Sequence, residues 1–386
     1  MIPRLISQHL RKIFNQYPVV TITGPRQSGK TTLVNSCFPH LPYKNLEHIE
    51  TRRFAKEDPV AFLKTIPNGA IIDEIQHVPE LSSYIQVIVD ERKQNSLFVL
   101  TGSQQFNMLQ TVSQSLAGRT GIVKLLPFSL TEIRGKYPSL SGSADDYLFR
   151  GFYPRLYDQN IDPSIGLPDY IATYIERDLR QLSHIQDLLL FQKFLKLCAG
   201  RIGQLLNFSN LAEDTGISHK TASEWISLLE ASFILYRLPP YYANINKRLI
   251  KAPKLYFYDT GLAANLLGIE EKKQIETHPL RGALFENLVI SEILKFRYNL
   301  GKRENLSFFR DAKGHEVDLL FSAANTIIPV EIKSAGTFRG DFFKGLDYFN
   351  TSIQTVDKKI VIYNGERNER RTRGIVSNVF DMLEWF

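Results

Sequence analysis

Thiols are scarce in this chain: Cys37 and Cys198 are its only cysteines, with no Cys-X-X-Cys pair and no histidine cluster beside either. That excludes a disulfide framework and a cysteine-based zinc site. Long apolar runs are missing too. No stretch approaches the roughly 18 residues of a membrane span, and Met1-Ile2-Pro3-Arg4 opens without the apolar core of a signal peptide, so a cytoplasmic, non-membrane protein is expected. The positive excess is small, +7 over 386 residues. It gathers at Lys247, Arg248, Lys251 and Lys254 and again at Arg367, Arg370, Arg371 and Arg373, clusters that suit nucleic-acid phosphates and a solvated surface about equally. The length implies two or three domains of roughly 100 to 200 residues each.

What is present begins with Gly24-Pro25-Arg26-Gln27-Ser28-Gly29-Lys30-Thr31-Thr32, set between the apolar run Val19 to Thr23 and a helical segment through Leu33 and Val34. Strand, glycine loop and helix in this order make a phosphate-binding P-loop. Backbone N–H groups and the helix N-terminus face the polyphosphate, Lys30 reaches the β and γ phosphates, and Thr31 holds Mg²⁺. ATP or GTP is the expected ligand.

A second signature follows. Ala70-Ile71-Ile72 reads as a short buried strand with Asp73-Glu74 at its end, the Walker B position. Asp73 is expected in the Mg²⁺ shell, and Glu74, a carboxylate with no proton to give up, is expected to polarise the attacking water. The strand Leu97 to Leu100 runs into Thr101-Gly102-Ser103-Gln104, where Ser103, or else Gln104, is placed to sense the γ-phosphate. Arg119, ahead of an apolar strand, and Arg177 and Arg180, in a helical segment, are candidate arginine fingers, a group often supplied by a neighbouring subunit of a homo-oligomer.

Together with Arg4, Asp73-Glu74-Ile75-Gln76, Leu100-Thr101-Gly102-Ser103 and Leu116-Ala117-Gly118-Arg119, this P-loop resembles prokaryotic AAA-type ATPases fused to a C-terminal domain of the restriction-endonuclease-like class. The resemblance spans nearly the whole chain. It implies an α/β architecture: an AAA-like ATPase domain over residues 1–160, a helical and winged-helix middle over 161–262, and a nuclease-like domain over 263–386. Adenine rather than guanine rests on that resemblance, since no guanine-specific Asn-Lys-X-Asp stretch occurs in the ATPase half.

The middle reads as a helix-turn-helix in its own right. Asn210 to Thr215 form a short helix, Gly216 a turn, and Ser218 the cap of a longer helix whose apolar face carries Ala222, Trp225, Ile226 and Leu229. The strand Phe233 to Leu238 and the basic Asn246-Lys247-Arg248 would supply the wing. His219, Lys220, Ser223 and Ser227 then face outward, suited to DNA contact or to packing beside the ATPase.

In the last third, Glu286 lies beside the apolar face Phe285, Leu288, Val289 and Ile293 of a helix. Glu316 to Phe321 and Ile327 to Lys333 read as a hairpin, with Pro329 suggesting an irregular or edge segment. If Phe321 pairs with Ile328, Asp318 lies across from Glu331, and Lys333 shares that face because side chains alternate. The pair of acids would form a divalent-metal site, with Lys333 activating water or steadying phosphate charge. Glu286, Asp318, Glu331 and Lys333 match the pattern of the PD-(D/E)XK phosphodiesterases, which implies Mg²⁺-dependent cleavage. A binding surface that does not cleave is the other reading.

Overall fold

The computed structural model describes residues 2–102, 115–136, 142–174, 185, 187–241, 251–323 and 326–386. They divide into two compact units. The first comprises Met1–Phe128 with Ala231–Phe233 and Arg297–Lys302, and the second comprises Ser129–Glu230, Ile234–Phe296 and Arg303–Phe386.

The first unit is a wholly parallel sheet flanked by helices. Its strands are β1 (Val19–Thr23), β2 (Tyr43–Asn45), β3 (Ala70–Asp73), β4 (Phe98–Gly102) and β5 (Thr120–Lys124), in the order β2-β3-β4-β1-β5. Strand periodicity explains why both faces are apolar. Val19, Ala70, Ile72, Phe98 and Leu100 enter one core, while Val20, Ile22, Ile71, Val99 and Val123 enter the other. Helix α1 (Ser7–Gln16) sends Leu10 and Phe14 into the second of these cores, and α2 (Lys30–Cys37) adds Leu33 and Val34. Helix α3 (Leu81–Arg92) covers the first core with Leu81, Ile85 and Val89. Because every strand runs the same way, the segments after β1, β3 and β4 emerge at one edge, where ligands bind in open α/β sheets.

The second unit contains α4 (Phe208–Thr215), capped by Asn207, whose Oδ1 accepts from the Asn210 N–H at 3.1 Å. It closes on Gly216 at φ 90°, a conformation glycine adopts without steric cost. In α5 (His219–Ala231), Ser218 Oγ accepts from the Thr221 N–H at 3.0 Å. The short antiparallel pair β6 (Leu235–Leu238) and β7 (Lys254–Phe257) follows. The expected wing residues Asn246, Lys247 and Arg248 lie outside the described residues.

Helix α6 (Arg281–Asn299) precedes a six-stranded mixed sheet. Its strands are β8 (Leu306–Arg310), β9 (Glu316–Ala323), β10 (Thr326–Lys333), β11 (Ile360–Tyr363), β12 (Glu369–Arg371) and β13 (Gly374–Asn378), in the order β12-β13-β11-β10-β9-β8. Helix α7 (Lys344–Ser352) packs Leu346 and Phe349 against Phe309, Val317, Leu320 and Val361. Pro329 departs from expectation, for it lies in β10, an interior strand. The ladder from β10 to β11 begins only at Val330, so at Pro329 the strand has an antiparallel partner on one side and the missing N–H breaks no rung of the β11 ladder.

Candidate functional site

The P-loop leaves β1 at Gly24, where a Cβ would stand 2.0 Å from the Leu125 carbonyl oxygen, so no larger residue fits without moving the backbone. It enters α2 at Gly29, φ 87°. Arg4 braces the loop from outside it: Nη1 donates to the Ser28 carbonyl at 2.8 Å and Nη2 to that of Leu126 at 2.6 Å. Its guanidinium also lies 4.9 Å from the Phe128 ring centroid. Lys30 is buried, with Nζ donating to the carbonyls of Gly24 at 3.0 Å and Pro25 at 2.9 Å. Burial pulls its ammonium down to about 8, against the upward pull of Glu74 and Asp73.

Thr31 Oγ1 donates to Asp73 Oδ2 at 2.7 Å, and Tyr43 OH donates to the same oxygen at 2.6 Å. Thr101, at the end of β4, donates to Asp73 Oδ1. The hydroxyl and the carboxylate that would hold Mg²⁺ are thus side by side, a pair of hard oxygen donors of the kind that ion takes. Glu74 stands at φ 58°, a left-handed conformation rare for a non-glycine residue, and accepts a hydrogen bond from Gln76. Tyr43, Thr101 and Arg4 were not assigned roles from the sequence. Their contacts depend on strand order rather than on spacing along the chain.

Arg119 stands apart from the P-loop of its own chain. It immediately precedes β5, which runs parallel to β1, so it lies at the opposite end of the sheet from the P-loop. Five residues of strand separate the two ends, about 16 Å at 3.3 Å per residue. Its guanidinium instead pairs with Asp90, Nη2 to Oδ2 at 2.8 Å. Ser103, Gln104, Arg177 and Arg180 lie outside the described residues.

In the second unit Phe321 pairs with Ile328 and Leu319 with Val330, so the next step along the ladder sets Asp318 across from Glu331. The Ile332 N–H donates to Asp318 Oδ2 at 2.8 Å. Lys333 Nζ lies 2.6 Å from Glu331 Oε1 and 3.8 Å from Asp318 Oδ2. Glu286 reaches the same cluster from α6. Burial, then the nearby Asp318 charge, raise Glu286 to about 7, and the same two causes raise Glu331 to about 8.

Two partners come from β7, well upstream. Lys254, 3% exposed, places Nζ 3.0 Å from Glu286 Oε1 and 2.5 Å from Glu316 Oε1. Tyr256, two residues along the same strand face, donates to Glu286 Oε1 as well. Asn287 ties this strand to α6, accepting from the Phe257 N–H at 2.7 Å and donating to its carbonyl at 2.9 Å.

The expected divalent-metal site at Asp318 and Glu331 is therefore corrected in one respect. The acids converge, but ammonium groups stand among them, and among the described residues no group of three or more His, Cys, Asp or Glu side chains is arranged to hold a metal ion. As placed, the cluster does not fit a bound metal. Among the described residues no helix is long and apolar enough to cross a membrane.

Comparison with known proteins agrees with the first unit. An AAA domain model matches residues 16–134, and two models of domains of unknown function, DUF8612 and DUF4143, match 141–273 and 281–382. The solved Walker-type ATPase of Pyrococcus abyssi aligns over 68% of this chain and 94% of its own at 14% identity, with a TM-score of 0.45, too low to carry an argument. Uncharacterized proteins of Mycobacterium bovis and Mycobacterium tuberculosis are each 31% identical over 336 residues, 86% of this chain and 74% of theirs. On that likeness the chain belongs to the family of these mycobacterial proteins, and it carries an AAA-type P-loop ATPase domain.

Proposed function

We propose that this protein hydrolyses ATP at the P-loop and that its nucleotide state governs a DNA-facing, nuclease-like second unit. In the first unit Thr31 and Asp73 would hold Mg²⁺, which would screen phosphate charge, while Lys30 neutralises the β and γ phosphates and Glu74 orients the attacking water. Arg119, at the far end of the sheet, would serve as a finger only for the nucleotide of a second copy. The pair α4 and α5 with β6 and β7 would be the winged helix, and Lys220 on its outer face a phosphate contact.

The observation that carries the nuclease reading is Lys333 Nζ at 2.6 Å from Glu331 Oε1 and 3.8 Å from Asp318 Oδ2, beside a β9–β10 ladder that runs to Leu319 and Val330, one step short of the two acids. Lys333 would then steady charge developing on a phosphoryl group. A second reading, a DNA- or protein-binding module without cleavage, is favoured by the ammonium partners already placed on these acids.

The test is cleavage of linear and single-stranded DNA with Mg²⁺ and ATP by wild type and Lys333→Ala. The first reading expects cutting by wild type, lost in Lys333→Ala while ATP hydrolysis continues. Wild type that hydrolyses ATP and cuts neither substrate would leave the binding reading in its place.

A further inference from the structure

The acid cluster of the second unit contains its own cation. Glu286, Glu316, Asp318 and Glu331 bring four carboxylates together, and two lysines answer them from different strands. Lys333 is 36% exposed and shares β10 with Glu331, so its ammonium can swing away while the strand stays in place. Lys254 differs. It is 3% exposed, its strand is tied to α6 through Asn287, and its Nζ joins a carboxylate of α6 to one of β9.

A divalent cation held by Glu286, Asp318 and Glu331, at about 2.0 to 2.6 Å from their oxygens, would compete with Lys254 for Glu286 Oε1. Its two charges would then lie within a few ångströms of a buried ammonium, and repulsion in so poorly screened a place is strong. The two cations are mutually exclusive. One further oxygen could receive such a cation: Glu331 Oε2 is buried and has no hydrogen-bond partner among the described residues. A buried carboxylate oxygen left this way is costly, and a metal ion would satisfy it.

We propose that Lys254 is an internal counter-cation that bridges Glu286 and Glu316 and excludes a divalent cation from the Glu286, Asp318 and Glu331 cluster, so that the cluster binds metal only when this ammonium is withdrawn. The inference shares its location with the nuclease reading and not its chemistry, since it concerns occupancy by a cation and not cutting. Under that reading Lys254 is the group whose displacement would switch the site on.

The experiment counts Mn²⁺ bound to the full chain by electron paramagnetic resonance, in an Asp73→Asn background that removes the P-loop metal position. The parent is expected to bind no Mn²⁺ at the cluster below millimolar concentration. Lys254→Met is expected to gain one site at least tenfold tighter, lost again when Glu286→Gln is added. Lys254→Arg, which keeps the charge, is expected to resemble the parent. Lys254→Gln, which keeps a hydrogen-bond donor without the charge, serves if the methionine variant does not fold.

A parent that already binds Mn²⁺ at the cluster as tightly as Lys254→Met would overturn the proposal. So would neutral variants that fold and bind none, or the failure of both neutral variants to fold, since the lysine would then be indispensable structure rather than a removable cation. A variant that gains the metal site yet cuts no DNA would sustain this inference while removing the nuclease reading, so the two fail separately.

Discussion

Arg4 shows how much of a nucleotide site is held by residues outside its motif. Its guanidinium spans the carbonyls of Ser28 and Leu126, joining the P-loop to the segment that follows β5, and these are charge-assisted bonds with a planar fork that lysine does not reproduce. Arg4→Ala is expected to lower stability by about 2 kcal/mol, the loss of a charged donor to two carbonyls. Urea unfolding checks this, and Arg4→Lys should recover only part of the loss. The residue was legible as part of a family resemblance, but its partner at Leu126 was not, because the contact depends on β5 lying beside β1. Arg119 shows the same dependence in reverse: a residue just ahead of a parallel strand lies at the edge away from its own P-loop, and neighbourhood along the chain does not say which edge is meant.

At the scale of elements, the β9–β10 hairpin was legible because its apolar and charged residues alternate and both strands have a face to bury. That alternation makes the register a choice between whole steps, and one residue of slip would turn Asp318 away from Glu331. Lys254 and Tyr256 were illegible as partners of Glu286. In the sequence Lys254 belongs with Lys247, Arg248 and Lys251 to a basic cluster suited to phosphates or a solvated surface, and nothing in its spacing tells that it is buried against acids of distant segments.

A contact in the turn on the other side of β9 offers a pH test. Asp311, in the turn between β8 and β9, accepts from Tyr348 OH at 2.8 Å and lies 2.9 Å from His315 Nδ1, while the His315 and Tyr348 rings stack at 3.7 Å. Burial pushes the Asp311 carboxyl up, but the bonds from His315 and Tyr348 outweigh it and bring it down to about 2. A depressed carboxylate contributes stability that is present above its unfolded value near 4 and lost as pH falls through 2. The stability gap between wild type and Asp311→Asn should therefore be full at pH 6 and narrow steadily between pH 4 and pH 2 in urea titrations. A gap that stays constant down to pH 2 would mean that the carboxylate charge is not what ties this turn to α7.

At the scale of the whole molecule, the proposed coupling requires one chain to carry both a nucleotide switch and an effector. The parallel sheet explains the switch: strand order brings Thr31, Asp73 and Thr101 to one edge, and the AAA match covers the same residues. The proposed effector would be the side-chain cluster gathered from β7, α6, β9 and β10, an assembly no local motif describes in full.

Amide hydrogen exchange of the full chain, with and without ATP and Mg²⁺, in wild type and Lys30→Ala, tests the claim that nucleotide governs this assembly. The account predicts that nucleotide changes exchange in Lys254–Phe257 and in Glu316–Lys333 of wild type and leaves both unchanged in Lys30→Ala. Changes confined to the strands and helices of the first unit, with β7, β9 and β10 unaffected by nucleotide, would contradict it.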